Sequence, residues 1–238
     1  MAIKIYWIGV IFFIFGRYFG GSCYSLPEKE EFFKQNFNNI FSSFHPSKCS
    51  ENLQRLSCTC GLKENKKALV NCTNLNLIRV PSNLPAMTTV LMLQNNKISQ
   101  LYNNTFLHAP FLKYLDMSNN SLTFIDVNAF HKMKSLHTLI LSHNHLLVTD
   151  GHVPLPNGCF NALSSSLTYL DIRHQMQEVK RYKMKGTIYP DSVCVLKNLQ
   201  TLFIDYTTTS RKVNKLPLCF SKLFDIKTLV ISLGIEFG

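Results

Sequence analysis

Eight cysteines stand among 238 residues, and four of them, Cys49, Cys58, Cys60 and Cys72, crowd one short stretch. Thiols at this density exceed what a reduced cytosolic protein of this size needs, so disulfides made outside the cytosol are the first expectation. We expect Cys49–Cys60 with Cys58–Cys72. Spacing alone leaves the other two connectivities open. A zinc site is the rival use of four such residues, and the secretory character of the N-terminus argues against it. Cys23, Cys159, Cys194 and Cys219 lie elsewhere, and their pairing is not legible.

Other reactive residue types do not assemble into a site. His137, His143 and His145 lie close together, but no carboxylate or cysteine stands at metal-ligand spacing beside them. No metal is expected; a pH-sensitive surface is the sharper reading of these imidazoles. Nucleophile-elbow, zinc-protease, phosphate-loop and dinucleotide fingerprints are all missing. We therefore expect no catalytic residue, no cofactor and no enzyme. Asn71-Cys-Thr, Asn103-Asn-Thr and Asn119-Asn-Ser are N-glycan acceptor sequences.

The formal charge is +11, from 25 Lys+Arg against 14 Asp+Glu. That excess permits a polyanionic partner or an anionic membrane surface and demonstrates neither. Lys180, Arg181, Lys183 and Lys185 alternate with Tyr182 and Met184. Such a loop can meet phosphate or sulfate groups, although a charge run is more often a solvated loop.

These residues need elements to hold them, and the elements repeat. Leu91-Met-Leu93-Gln-Asn-Asn96, Leu115-Asp-Met117-Ser-Asn-Asn120 and Leu139-Ile-Leu141-Ser-His-Asn144 follow one another at 24-residue spacing, and Phe106 and Phe130 share that spacing. L-x-L places two apolar side chains on one face of a short strand. The asparagine turns inward and pairs with backbone groups that the turning chain leaves open. One unit cannot bury its own leucines, so the units must stack into a solenoid. Three weaker units follow at Leu167–Ile172, Leu199–Ile204 and Ile226–Ile231, with Gln175, Thr207 and Gly234 at the asparagine position. Glutamine and threonine can substitute there in part and glycine cannot, so irregular turns are expected. The expected fold is an α/β solenoid: a leucine-rich repeat horseshoe, short parallel strands on its concave face, and an N-terminal disulfide cap over its open end.

Upstream, Met1–Ser25 reads as a signal peptide whose apolar run, Ile5–Phe15, is too short to span a bilayer of about 30 Å. An uncleaved anchor is the alternative, because Arg17 is unusual so near the cleavage region. Residues 26–48 carry Phe33, Phe37, Ile40, Phe41 and Phe44 at helical spacing, which predicts an amphipathic helix. Residues 49–86 form the cysteine-rich cap and 87–238 about six repeats. The last repeat is incomplete and has no C-terminal cap, so fraying from that end is expected.

The cysteine cap, the repeats with their Asn and Phe, and the signal peptide together resemble the N-terminal part of a Toll-like receptor ectodomain, particularly of invertebrate members. The resemblance covers about Cys49–Phe237. It implies ligand recognition in innate immunity, in an extracellular, secreted or receptor-bound form. The partners it implies are a protein, microbial or glycan ligand and a receptor dimer partner, not nucleic acid. Membrane contact would come only through a missing C-terminal part or an uncleaved anchor. A secreted structural or adhesive protein that binds matrix or another receptor is the alternative.

On such a solenoid the variable strand positions line the concave face. Tyr114, Tyr169 and Phe203 are expected exposed there beside Asp116, Asp171, Arg173 and Asp205, as a surface for protein or glycan. An ordinary solvated sheet face is the competing reading.

Overall fold

The structure, a computed structural model, describes residues 44–146, 155–175, 190–208, 223 and 225–235. Strands β1 (His45–Ser47), β2 (Thr59–Leu62) and β3 (Ala68–Asn71) open the chain, with the short helix α1 (Glu51–Arg55) between the first two. Then come β4 (Thr88–Met92), β5 (Gln100–Leu101), β6 (Tyr114–Asp116), β7 (Phe124–Ile125), β8 (Thr138–Ile140) and β9 (Tyr169–Ile172). Helix α2 (Pro190–Val193), β10 (Thr201–Thr208) and β11 (Thr228–Ile235) complete the described part. One sheet runs β1-β2-β3-β4-β6-β8-β9-β10-β11, and β5 pairs with β7 in a second. Pairing is antiparallel through β1, β2 and β3 and parallel from β3 onward.

The repeat sets the register. Leu91, Leu115, Leu139, Leu170, Leu202 and Leu229 stand opposite one another on successive strands. All are buried in the interior of the coil. Three phenylalanines back this core: Phe106 stacks on Phe130 at 6.0 Å between ring centroids, and Phe130 meets Phe160 at 5.9 Å. Phe160 continues the column despite the longer repeat that carries it.

Asparagine does what the pattern requires. Asn120 Nδ2 donates to Leu93 O (2.8 Å) and Met117 O (3.1 Å), while its Oδ1 accepts the Ile98 N–H (3.1 Å). Asn144 repeats this with Met117 O, Leu141 O and the Leu122 N–H. Asn96 joins the first coil to the cap by donating to Cys72 O and accepting from Leu75 and Leu77. The residue before each rung takes a left-handed conformation: Asn95 (φ 57°), Asn119 (φ 53°), His143 (φ 58°) and His174 (φ 54°). Asparagine and histidine are among the residues enriched in that region, which makes the sharp turn cheap.

Two expectations about the weaker units are corrected. Gln175 makes the full asparagine set of bonds, so the fourth turn is regular. Its Nε2 donates to Leu141 O and Ile172 O, both at 3.1 Å, and its Oε1 accepts the Leu146 N–H at 3.0 Å. Beyond it, β10 and β11 do not turn at the expected place. They run extended through Thr207 and Gly234, paired from Thr201↔Thr228 to Thr208↔Ile235. Neither residue carries the amide that would draw the chain inward, so ladder bonding continues instead.

The cap is built as the cysteines suggest, with disulfides Cys49–Cys60 and Cys58–Cys72. They cover the first coil together with Leu53 and Val70, both fully buried. The helix expected over 26–48 is corrected at its end: His45–Ser47 is a strand. Pro46 has no N–H to donate and suits this edge position. The remainder of that segment and the signal peptide lie outside the described residues. In the second half Cys159 is a buried free thiol. Cys194 is disulfide-bonded to a partner outside the described residues.

Candidate functional site: a covered concave sheet and a basic lateral cleft

Strand alternation sends one set of side chains into the coil and the other onto the concave face. The second set makes its own apolar cluster of Val90, Tyr114, Ile140, Tyr169, Phe203 and Val230. The expected exposure of this face is therefore wrong. Tyr114 is 0% exposed, Asp116 4%, Tyr169 7%, Asp171 1% and Phe203 5%. Register is one reason. Side chains on one face reach the residue opposite and its diagonal neighbours on the next strand. Tyr169 stands opposite Thr201 and Phe203 opposite Asp171, so Tyr169 and Phe203 are diagonal neighbours, and their rings meet at 5.7 Å between centroids.

The polar groups of this face are closed onto each other. The Arg173 guanidinium makes a two-pronged pair with Asp171, Nε to Oδ1 at 3.1 Å and a terminal nitrogen to Oδ2 at 2.9 Å. It also lies over the Phe203 ring at 4.1 Å. Asp116 Oδ1 accepts the Ser118 N–H at 2.8 Å, and the Tyr114 hydroxyl points at Oδ2 from 3.4 Å. Burial, then the Asp116 charge, pushes the Tyr114 hydroxyl well above the ordinary phenol range. Tyr169 is raised likewise by burial and then by Asp171. Tyr114, Asp116, Tyr169, Arg173 and Phe203 all take part in further interactions. Of this column, Arg173 is only half-buried. The backbone of Asp205 belongs to β10.

A second feature lies on the lateral edge. Phe44, Lys63, Asn65, Lys67, Thr89, Val90, Lys113 and His137 line a cleft of about 410 Å³. The β2–β3 hairpin places two lysines together, because the Lys63 N–H donates to Lys67 O at 3.0 Å. Cross-strand neighbours in such a pair project to the same side. Gly61 lets Phe44 lie against β2; a Cβ at Gly61 would come within 3.2 Å of Phe44 Cβ. Lys63 Nζ then stands 4.5 Å over the Phe44 ring. Lys113 and His137 arrive from the repeats, each one residue ahead of its strand. The sequence does contain this signal, a basic residue at the same position of two successive repeats. It does not show that the cap hairpin folds beside them.

Asn103 and Asn119 are exposed and Asn71 is half-buried. Asn119 Nδ2 donates to Asn95 Oδ1 at 2.6 Å, and Asn71 Oδ1 accepts the Thr73 N–H at 3.0 Å. Lys180, Arg181, Lys183 and Lys185 lie outside the described residues. His143 stacks on His174 at 4.6 Å. Among the described residues no group of His, Cys, Asp or Glu is placed to hold a metal ion, and no helix is long and apolar enough to cross a membrane.

Residues 88–146, which hold the three asparagine-bearing strands, match the family model described as leucine rich repeat. This is a leucine-rich repeat protein. The leucine-rich repeat chain is 40% identical over 91 residues to leucine-rich repeat-containing protein 3 of Danio rerio, covering 38% of this chain and 34% of that protein. It is 41% identical over 85 residues to the human leucine-rich repeat-containing G-protein coupled receptor 5, covering 36% of this chain and 9% of the receptor. Mouse opticin is 30% identical over 154 residues, covering 65% of this chain and 42% of opticin. The chain thus spans less than half the length of each of these relatives. Among solved structures, human 5T4 (Wnt-activated inhibitory factor 1, trophoblast glycoprotein) aligns with TM-score 0.56 and 24% identity, over 79% of this chain and 64% of that one. That likeness concerns the leucine-rich repeat fold.

Proposed function

We propose that this leucine-rich repeat protein works outside the cell as a ligand-recognition module, holding a partner protein against the concave sheet. The observation that carries the reading is Arg173, the least buried charged group described on that sheet, which the buried Asp171 and Phe203 hold in place. A guanidinium fixed by a carboxylate and stacked on a ring loses little side-chain entropy when a partner docks, and such residues dominate protein interfaces. The disulfide cap supports the extracellular setting, since such bonds persist in oxidising compartments.

The narrower reading, the ectodomain of a Toll-like innate immune receptor, rests on the resemblance of the cap and repeats. The relatives named above include no Toll-like receptor, so the module is proposed in its broader form. A transmembrane run and a signalling domain in the downstream transcript would select the narrower one. Without them, a secreted adhesive protein is favoured.

The test is secretion followed by cell-surface binding. The full chain, expressed in animal cells, should reach the medium with its cap cysteines oxidised and should stain a subset of cell lines in flow cytometry. Met92→Arg and Thr201→Arg, at half-buried positions on the concave strands, should abolish that staining. Retention inside the cell, or staining that both substitutions leave unchanged, would overturn the proposal.

A further inference from the structure

We infer that the lateral cleft between the cap hairpin and the first coils binds a sulfated glycan chain. This goes beyond the concave-face reading and shares with it the extracellular setting and one bordering residue, Val90.

The charge on the cleft has one sign. Lys63, Lys67, Lys113 and His137 surround it, and no carboxylate is among its described lining residues. The single ion pair among the described residues is Arg173–Asp171, on the concave face. Lys67 and Lys113 are therefore not neutralised by a described carboxylate. Ammonium groups gathered round a concavity focus a positive potential and raise the local concentration of anions.

The arrangement is linear, which decides among anions. Lys113 N–H donates to Thr89 O at 2.8 Å and His137 N–H to Lys113 O at 2.9 Å. The same backbone column continues through Thr168 and Gln200 to Lys227, each N–H bonded to the carbonyl one coil earlier at 2.8–2.9 Å. The side chains at these five positions are basic or neutral. At the far end Lys227 Nζ donates to Gln200 Oε1 at 3.1 Å. Successive positions are about 4.8 Å apart. A compact anion such as free phosphate would use one point of this track, whereas a chain with regularly spaced charges uses its length. Phe44 adds an apolar surface that can carry the C–H face of a sugar ring. A single-stranded nucleic acid would instead want a series of stacking rings, and the rings among the described lining residues are two, Phe44, already under the Lys63 ammonium, and the His137 imidazole.

The experiment uses the full chain and a fluorescent heparin-derived octasaccharide in about 0.15 M salt, read by anisotropy. Lys67→Glu combined with Lys113→Glu changes two cleft residues. Lys132→Glu combined with Lys197→Glu makes the same charge change at exposed positions off the track. We expect the cleft variant to bind at least about tenfold more weakly and the off-track variant within about twofold of the parent. Desulfated octasaccharide should not compete, and a dodecasaccharide should bind more tightly than the octasaccharide. An unchanged melting temperature for both variants separates binding from folding. The inference is overturned if the parent chain does not bind, if both variants lose affinity equally, or if oligo(dT) or the desulfated chain competes as well as heparin. The concave-face substitutions Met92→Arg and Thr201→Arg should leave this affinity unchanged, so the two proposals fail independently.

Discussion

Gln175 holds Leu146 as an asparagine would: its Oε1 accepts the Leu146 N–H at 3.0 Å while its Nε2 donates to Leu141 O at 3.1 Å. A side chain one methylene longer thus forms the fourth rung of the ladder, and the coil that follows the insertion stays in register. The rungs differ in burial. Asn144 is fully buried, whereas Gln175 is half-buried.

That difference makes the first prediction. Asn120→Ala leaves the buried Ile98 N–H without its acceptor and takes one donor each from the Leu93 and Met117 carbonyls, which Asn96 and Asn144 still meet. One stranded buried donor costs about 1–3 kcal/mol, so the expected loss is about 2–3 kcal/mol, read as a lower urea midpoint at unchanged slope. Gln175→Ala should cost less, about 1–2 kcal/mol, because water can reach the half-buried site. Equal losses would show that the rungs are not ranked by burial.

The phenylalanine column gives the second. Phe130 packs between Phe106 and Phe160, so Phe130→Ala opens a cavity with aromatic walls on both sides. About 3–5 kcal/mol should be lost. Phe130→Leu, which fills most of the space, should recover at least half of that in the same urea titration.

The third concerns the cap. Cys58 and Cys72 are bridged across a sequence separation of 14, and closing a loop of about 15 residues stabilises by about 3 kcal/mol. Replacing both by serine should lower the melting temperature. Amide exchange should accelerate most at Leu91 and Leu93, which the cap covers, and least at Leu139. Uniform acceleration would mean that the solenoid unfolds as one unit.

The fourth uses the buried thiol. Burial pushes Cys159 up to about 12, against a weaker opposing hydrogen bond from Ser192. Iodoacetamide at pH 8 should therefore leave Cys159 unlabelled in the native chain and label it in urea. Because the folded pKa is raised, the thiol's contribution to stability is complete below the ordinary thiol pKa of about 8.5. It falls as pH rises toward about 12, since the unfolded chain ionises first. Cys159→Ala should flatten the decline of stability between about pH 9 and 11 relative to the parent chain.

Local pattern was enough for several features of this protein. Leucines at fixed offsets can be buried only by stacking, so Leu91, Leu115 and Leu139 announce a parallel sheet before any coordinates exist. The buried asparagines and the cysteine cap follow from the same requirement, that turning backbone and open ends be satisfied. Other features needed the third dimension. Whether glutamine could stand in at 175, or threonine and glycine at 207 and 234, depended on where the amide lands relative to the neighbouring coil. The closing of the concave face over Tyr169 and Phe203 came from register between strands, which brings large side chains of successive repeats into diagonal contact. The basic cleft is the clearest case. Lys63 and Lys67 belong to the cap hairpin, Lys113 and His137 to two different repeats, and no periodicity links the two sets. Their charges converge because a hairpin and a stack of coils share one sheet, and short-range proximity in sequence carries no information about that.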